Sequence, residues 1–210
     1  MSLKHVSIST LIVAIGFVTA NLLAAEGDAE SLKWSPLVDG KTLDGWHAVG
    51  DGQWTVEDGA VVGRADNEKL YGLLVSDRAY GDFTVRFKFK CLSGDSGFYV
   101  RTIIKEPDQA HGLQVQVGRT GSGVGGIYES YGRGWIDKPA ADAEKKYSKP
   151  DAWSEMTIAA HGGHIAVHVN GVKTAELKDD PSRPEGALAL QMHSGNVMHV
   201  MFKDIEILEE

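Results

Sequence analysis

Cysteine is nearly absent: Cys91 is the single one in 210 residues, so no intrachain disulfide can form and stability has to come from apolar burial. Cys91 itself reads as a small buried hydrophobe. Basic clusters are missing as well. The 21 Lys and Arg residues are dispersed among 29 Asp and Glu, for a net charge of -8, and no basic stripe exists to neutralise a row of phosphates. Nucleic acid is therefore excluded as a partner. No His-x-His or Glu-x-x-His ligand spacing joins His111, His161, His164, His168 and His199. No cofactor motif is evident, and a divalent cation stays open as a possibility. After the first 25 residues no stretch holds a 3.6-residue period, which excludes a helical bundle.

Long apolar runs are scarce too. The one that stands out, Ile8 to Ala24, follows a short start with Lys4 and His5 and precedes the polar stretch Glu26 to Ser31. This pattern predicts a signal peptide over residues 1–25, cleaved after Ala20 or Ala25, and an exported protein, periplasmic or extracellular, with no stable membrane insertion after cleavage. A retained membrane anchor is the alternative, since the run approaches the length of a span. Residues 26–210 then make one domain, because a chain of this size needs no second core.

What is present is alternation. Phe83, Val85, Phe87 and Phe89 interleave with Thr84, Arg86, Lys88 and Lys90, the mark of a strand with one dry and one wet face. Asn170-Gly171 between 165–169 and 172–177, and Asp58-Gly59 between 54–56 and 60–62, supply the positive φ angles of type I′ hairpin turns. Further strands are expected at 97–102, 113–117, 126–129, 154–160, 187–193 and 198–208. The total, about ten, suits an all-β sandwich of two packed antiparallel sheets. Asp137 to Asp151 breaks the pattern as a long connection with a helical turn at 140–146, of the kind that borders sites.

Several strands carry unusual outward residues. Tyr99 and Arg101 alternate with Phe98 and Val100, Gln114 and Gln116 with Leu113, Val115 and Val117, and Gln191 and His193 with Leu190 and Met192. The alternation predicts that Arg101, Gln114, Gln116, Gln191 and His193 share one sheet face. Amides, guanidinium, imidazole and aromatic rings suit a sugar, whose hydroxyls need paired donors and acceptors and whose C–H faces pack on rings. The stretch Gly125 to Ile136 adds Tyr128, Glu129, Tyr131, Arg133 and Trp135 between glycines. Each of these residues also has a plain reading: Trp135 and Tyr131 as core or loop anchors, Glu129 as an ion-pair partner of Arg133, and Gly94-Asp95-Ser96-Gly97 as a tight turn.

Leu37-Val-Asp-Gly-Lys-Thr-Leu-Asp-Gly-Trp46 resembles the opening signature of the 3-keto-disaccharide hydrolase family. That family's succession continues in order as Tyr80-Gly-Asp-Phe83, Ser93-Gly-Asp-Ser-Gly97 with Arg101, Gly125-Gly-Ile-Tyr128, Gly132-Arg-Gly-Trp135, Trp153, Val169-Asn-Gly171 and Leu190-Gln-Met-His-Ser-Gly195. The resemblance implies a concanavalin-A-like jelly-roll β-sandwich with a sugar site on its concave sheet. It also implies cleavage of 3-keto-glycosides, oxidised disaccharides among them, by elimination and hydration. Two departures stand out: Gln114 replaces an acid common in relatives, and Asp95 stands where relatives often have Asn.

Such chemistry needs a base for C2–H, an electrophile for the enolate oxygen and an acid at the leaving oxygen. The candidates are His193 or Glu129 as base and Arg101 or Arg133 as electrophile, a role a divalent cation could also fill. Asp95, Tyr99, Gln114, Gln116, Tyr128, Trp135 and Gln191 are the candidate substrate-binding shell. The rival readings are a non-catalytic carbohydrate-binding module, which Gln114 favours, and a structural envelope protein. The sequence leaves the sugar, the linkage and the oligomeric state open.

Overall fold

The computed structural model describes residues 33–149 and 151–210. The leader expected over 1–25 and its cleavage sites lie outside the described residues. The strands are β1 Ser35–Pro36, β2 Trp46–Gly50, β3 Gln53–Glu57, β4 Ala60–Ala65, β5 Gly72–Tyr80, β6 Phe83–Ser93, β7 Ser96–Lys105, β8 Gln109–Val117, β9 Ile127–Ser130, β10 Gly134–Asp137, β11 Ser154–His161, β12 His164–Val169, β13 Val172–Leu177, β14 Gly186–Met192 and β15 Met198–Glu209. Among the described residues a single short helix, α1 Ala141–Glu144, interrupts them, within the connection expected to hold a helical turn.

The strands form two antiparallel sheets. One runs β13-β12-β11-β6-β15-β4-β3, with β1 added on β15; the other runs β10-β9-β8-β7-β14-β5-β2. Alternation explains how they pack. Phe83, Val85, Phe87 and Phe89 of β6 are buried, as are Phe98, Val100, Leu113, Val115, Leu188 and Leu190 of the facing sheet. Phe87 and Phe98 stack across the interface with centroids 4.5 Å apart. Burying each such ring contributes roughly 1.5–3 kcal/mol, which makes this seam the main source of stability in the absence of cross-links. Cys91 is buried among these residues, and burial pushes its thiol up to about 12.

Both expected hairpin turns form with positive φ at both central residues: 49° and 78° at Asp58 and Gly59, 48° and 80° at Asn170 and Gly171. The opening signature is structural. Asp39 Oδ1 accepts the N–H groups of Lys41 and Thr42, both at 2.8 Å, and Trp46 donates its indole N–H to Leu37 O at 2.9 Å. These bonds close the segment on itself, and the Leu37 N–H donates to Ile205 O of β15 at 2.8 Å, which fixes it to the sandwich.

The connection after β10 is held by a buried acid. Glu144 is 1% exposed, and its carboxylate accepts the backbone N–H groups of Gly121, Gly123 and Val124 at 2.8, 3.0 and 3.3 Å. It thereby pins the 118–126 loop, which leads into β9 and the rim of the site. Tyr147 adds a hydrogen bond to Val124 O at 2.9 Å. Glu144→Ala leaves three N–H groups without their acceptor, and thermal denaturation is expected to show a loss of about 2 kcal/mol or more, or a melting point lower by about 4–8 °C. A melting point within 1 °C of the parent protein, about the resolution of such a scan, would remove this role.

Candidate functional site

The register of the seven-stranded sheet lines up one row of side chains on its outer face. Trp135 pairs with Tyr128, Tyr128 with Gln114, Gln114 with Tyr99, and Tyr99 with Ala189. Gln116 and Gln191 lie on the same face, one step along their strands, because residues two apart point the same way. Above this row lies a cleft of about 870 Å³ lined by Asp95, Tyr99, Gln114, Gln116, Tyr128, Glu129, Arg133, Trp135, Gln191 and His193, together with Tyr71, Asp108, Ser130 and Tyr131.

The floor consists of two hydrogen-bonded chains. In the first, Gln114 Nε2 donates to Gln116 Oε1 at 2.8 Å, and Gln116 Nε2 donates to Asp95 Oδ1 at 2.6 Å. In the second, Gln191 Nε2 donates to the Tyr99 hydroxyl at 3.0 Å, which lies 2.7 Å from the Ser130 hydroxyl. Gly97 makes room for the first chain: a Cβ there would sit 2.4 Å from Gln114 Cγ. Gln191 Oε1 is buried with no hydrogen-bond partner among the described residues. Burial raises the Tyr99 and Tyr71 hydroxyls above the usual tyrosine range, so both act as neutral hydrogen-bonding groups.

The walls are aromatic. Tyr131 and Trp135 keep 64% and 38% of their surface exposed, enough to present ring faces to a ligand. Tyr131 stacks on His111 with centroids 4.5 Å apart, and Trp135 meets Tyr128 edge-on at 5.4 Å. These contacts hold the rings in place without a ligand.

The charged groups divide by environment. Arg133 Nε donates to Glu129 Oε2 at 2.5 Å, and its terminal nitrogens reach Asp180 at 2.7 and 3.2 Å. Arg133 thus holds the Glu129 carboxyl below the usual carboxylate range, and the two acids offset its own charge. Asp95 is shifted the other way, raised by burial, and no ion pair reaches it among the described residues. His193 stands exposed just past β14, tied through its backbone N–H to Asp95 O at 3.2 Å. Its Nδ1 lies 2.5 Å from Ser194 O; a carbonyl can only accept, so Nδ1 carries the proton and Nε2 has the free lone pair of the neutral ring.

Arg101 is the correction. Alternation put it on the cleft face, but a bulge between Val100 and Ile103 and a φ of 48° turn it away. It is 2% exposed and donates to Gly81 O at 2.9 Å, Ala160 O at 3.0 Å, Gly162 O at 2.5 Å and Asp82 Oδ1 at 2.7 Å. It ties β7 to the far sheet and does not line the cleft. The expectation that five residues share one face therefore fails at Arg101. Gln114, Gln116 and Gln191 share it, with His193 at its rim.

Four side chains that line the cleft were not assigned to it from the sequence: Tyr71, Asp108, Ser130 and Ser194, the last directly after His193. Tyr71 precedes β5, where Leu73, Leu74 and Val75 are all buried and no alternation marks the strand. Ser130 ends β9, too short to orient by pattern, and Asp108 sits in the β7–β8 turn. Among the described residues, no group of three or more His, Cys, Asp and Glu is placed to hold a metal ion.

The sequence profile of the 3-keto-alpha-glucoside-1,2-lyase-like domain matches residues 33–208, nearly the whole described chain. The chain belongs to this family. No curated protein sequence matches it. Its fold is similar to a candidate glycosyl hydrolase from Parabacteroides distasonis ATCC 8503, at 21% identity and a TM-score of 0.62, over 90% of this chain and 99% of that one. It is also similar to the carbohydrate binding module CBM66 from Bacillus subtilis, at 15% identity and a TM-score of 0.58, over 79% and 96%. A galectin-like protein of unknown function from Bacillus subtilis matches at 14% identity and a TM-score of 0.61, over 85% and 95%. The family member described here thus has the jelly-roll β-sandwich expected of it, with the cleft on the outer face of one sheet.

Proposed function

We propose that this family member is an exported carbohydrate-active protein that cleaves 3-keto-glycosides by elimination and hydration in the cleft of the seven-stranded sheet. The observation that carries the reading is the cleft itself: a buried row of amides and tyrosines between exposed rings, with one imidazole at the rim whose Nε2 is free. The amides present donors and acceptors to sugar hydroxyls, and the unpartnered Gln191 Oε1 suits a hydroxyl donor. Tyr131 and Trp135 offer ring faces to the C–H side of a pyranose.

In this mechanism His193 Nε2 takes the proton from C2, which the C3 ketone acidifies. The electron pair forms C1=C2 and the C1–O bond breaks. Water then adds at C1 while the proton returns to C2, so that the net reaction is hydrolysis. Arg133, fixed between Glu129 and Asp180, is left to orient the substrate through its remaining N–H groups, because the two acids offset the charge an enolate would draw on. A divalent cation supplied with the substrate is an alternative electrophile.

A binding-module reading is favoured by one feature, the absence of a free guanidinium in the cleft among the described residues: Arg101 is elsewhere and Arg133 is doubly paired. Product analysis separates the two. Incubation with a 3-keto-glucoside is expected to release the aglycone and 3-keto-glucose, with none released from the unoxidised parent glycoside. Binding of the keto-sugar without release would overturn the catalytic reading in favour of the module.

A further inference from the structure

We propose that Asp95 is the catalytic acid of this cleft: its carboxyl protonates the leaving-group oxygen as the C1–O bond breaks, and then accepts a proton from the water that adds at C1. The inference rests on the proposed reaction, which needs an acid that the assignment of His193 leaves unfilled. Protons balance over the cycle. His193 gains the C2 proton in elimination and returns it in hydration, while Asp95 gives one proton to the departing alcohol and regains one from water.

Three carboxyls line the cleft among the described residues: Asp95, Asp108 and Glu129. Glu129 is fixed by Arg133 through two hydrogen bonds to one oxygen, Oε2, and such a partner favours the ionised form. Asp108 lies in the turn between β7 and β8, and among the described residues no hydrogen bond positions its carboxyl. Asp95 alone is both positioned and free of a cation.

The positioning is specific. Asp95 Oδ1 accepts from Gln116 Nε2 at 2.6 Å and from the Ser96 backbone N–H at 3.2 Å, whereas Oδ2 takes no hydrogen bond from the described residues. Gln114 donates in turn to Gln116, so the whole chain points its donors toward Asp95 Oδ1. With Oδ1 occupied as an acceptor, a proton on this carboxyl resides on Oδ2, the atom left to meet a ligand. The Asp95 carbonyl also accepts the His193 backbone N–H at 3.2 Å, which couples the segments that carry the acid and the base.

Electrostatics agree with the geometry. Burial raises Asp95 while Arg133 lowers Glu129, so of these two carboxyls Asp95 is the one whose surroundings favour the protonated form. The titratable groups that bear on Asp95 are His193, from the segment after β14, and Lys138, after β10; when either carries a positive charge it acts to lower Asp95, without cancelling the rise from burial. Gln116 and Ser96 are its hydrogen-bonding neighbours.

The test compares leaving groups. An acid matters when the departing oxygen is a poor leaving group and little when it is a good one. Asp95→Asn keeps an acceptor for Gln116 and removes the proton. With methyl 3-keto-glucoside, turnover should fall by at least about 100-fold, while with 4-nitrophenyl 3-keto-glucoside it should fall by less than about 10-fold. Equal losses on both substrates, or none, would overturn the assignment. A measurement on the unaltered protein covers the case in which the variant does not fold. As pH rises, turnover of the methyl substrate should decline while that of the nitrophenyl substrate holds, because only the former needs the protonated acid; parallel profiles would count against Asp95. Unaltered protein inert toward both substrates removes the catalytic reading and Asp95 with it, whereas active protein with an unaffected Asp95→Asn variant removes Asp95 alone.

Discussion

His193→Ala lowers turnover of a 3-keto-glycoside by at least about 100-fold, the low end for a general base, and leaves sugar binding and thermal stability close to those of the parent protein. The expectation follows from where the residue stands. Its side chain is exposed, so removing it opens no cavity in the core. Its backbone bond to Asp95 O is made by the main chain and survives the substitution. What is lost is Nε2 of His193, the one histidine among the described residues that lines this cleft. Turnover assays and sugar titrations on the same preparation check both halves. Near-normal turnover would move the base to Glu129, which the structure makes a weak one, since Arg133 stabilises its ionised form. Repeating the assay after chelation shows whether a divalent cation takes part.

Much of this architecture is legible in the residues. β6 reads as a strand because one face is core and the other is wet, and the Asn-Gly and Asp-Gly pairs mark their hairpins because few other residues accept positive φ twice in succession. The row of Tyr99, Gln114, Gln116 and Gln191 is legible for the same reason: each alternates with a buried aliphatic or aromatic neighbour. β5 is not legible, because Leu73 and Val75 are buried on the outer face beside Tyr99 and Ala189 while Leu74 enters the main core, and a strand covered on both sides shows no period. Glu144 lies in the helical turn expected at 140–146, and nothing in its spacing marks it as buried; only the fold brings it under three N–H groups more than 19 positions away in sequence. Glu129 and Arg133 read as an ion pair from their spacing, but Asp180, which completes the triad, arrives from the segment before β14.

Arg101→Met provides the opposite outcome to His193→Ala, a large loss of stability with little change in chemistry. Period-two alternation cannot foresee a bulge, and one bulge is enough to carry a side chain from the cleft to the seam between the sheets. There the guanidinium supplies four hydrogen bonds: to Gly81 O and Asp82 before β6, to Ala160 O at the end of β11 and to Gly162 O in the following turn. A planar fork with several donors suits this junction; a lysine, with one ammonium, would reach only part of it. Methionine fills much of the volume but leaves three carbonyls and part of Asp82 without their donor, and removal of one member of such a buried polar junction costs about 3–5 kcal/mol. For a domain of this size that corresponds to a melting point lower by roughly 6–20 °C. Because the cleft floor is held by its own amide and tyrosine chains, the folded fraction should retain turnover within about threefold of the parent protein, a change too small for a lost catalytic group. Calorimetry beside single-temperature kinetics, run well below the lowered midpoint, reads both quantities. A variant with an unchanged midpoint and turnover reduced by 100-fold or more, the scale of a lost catalytic group, would return Arg101 to the site that alternation first assigned it.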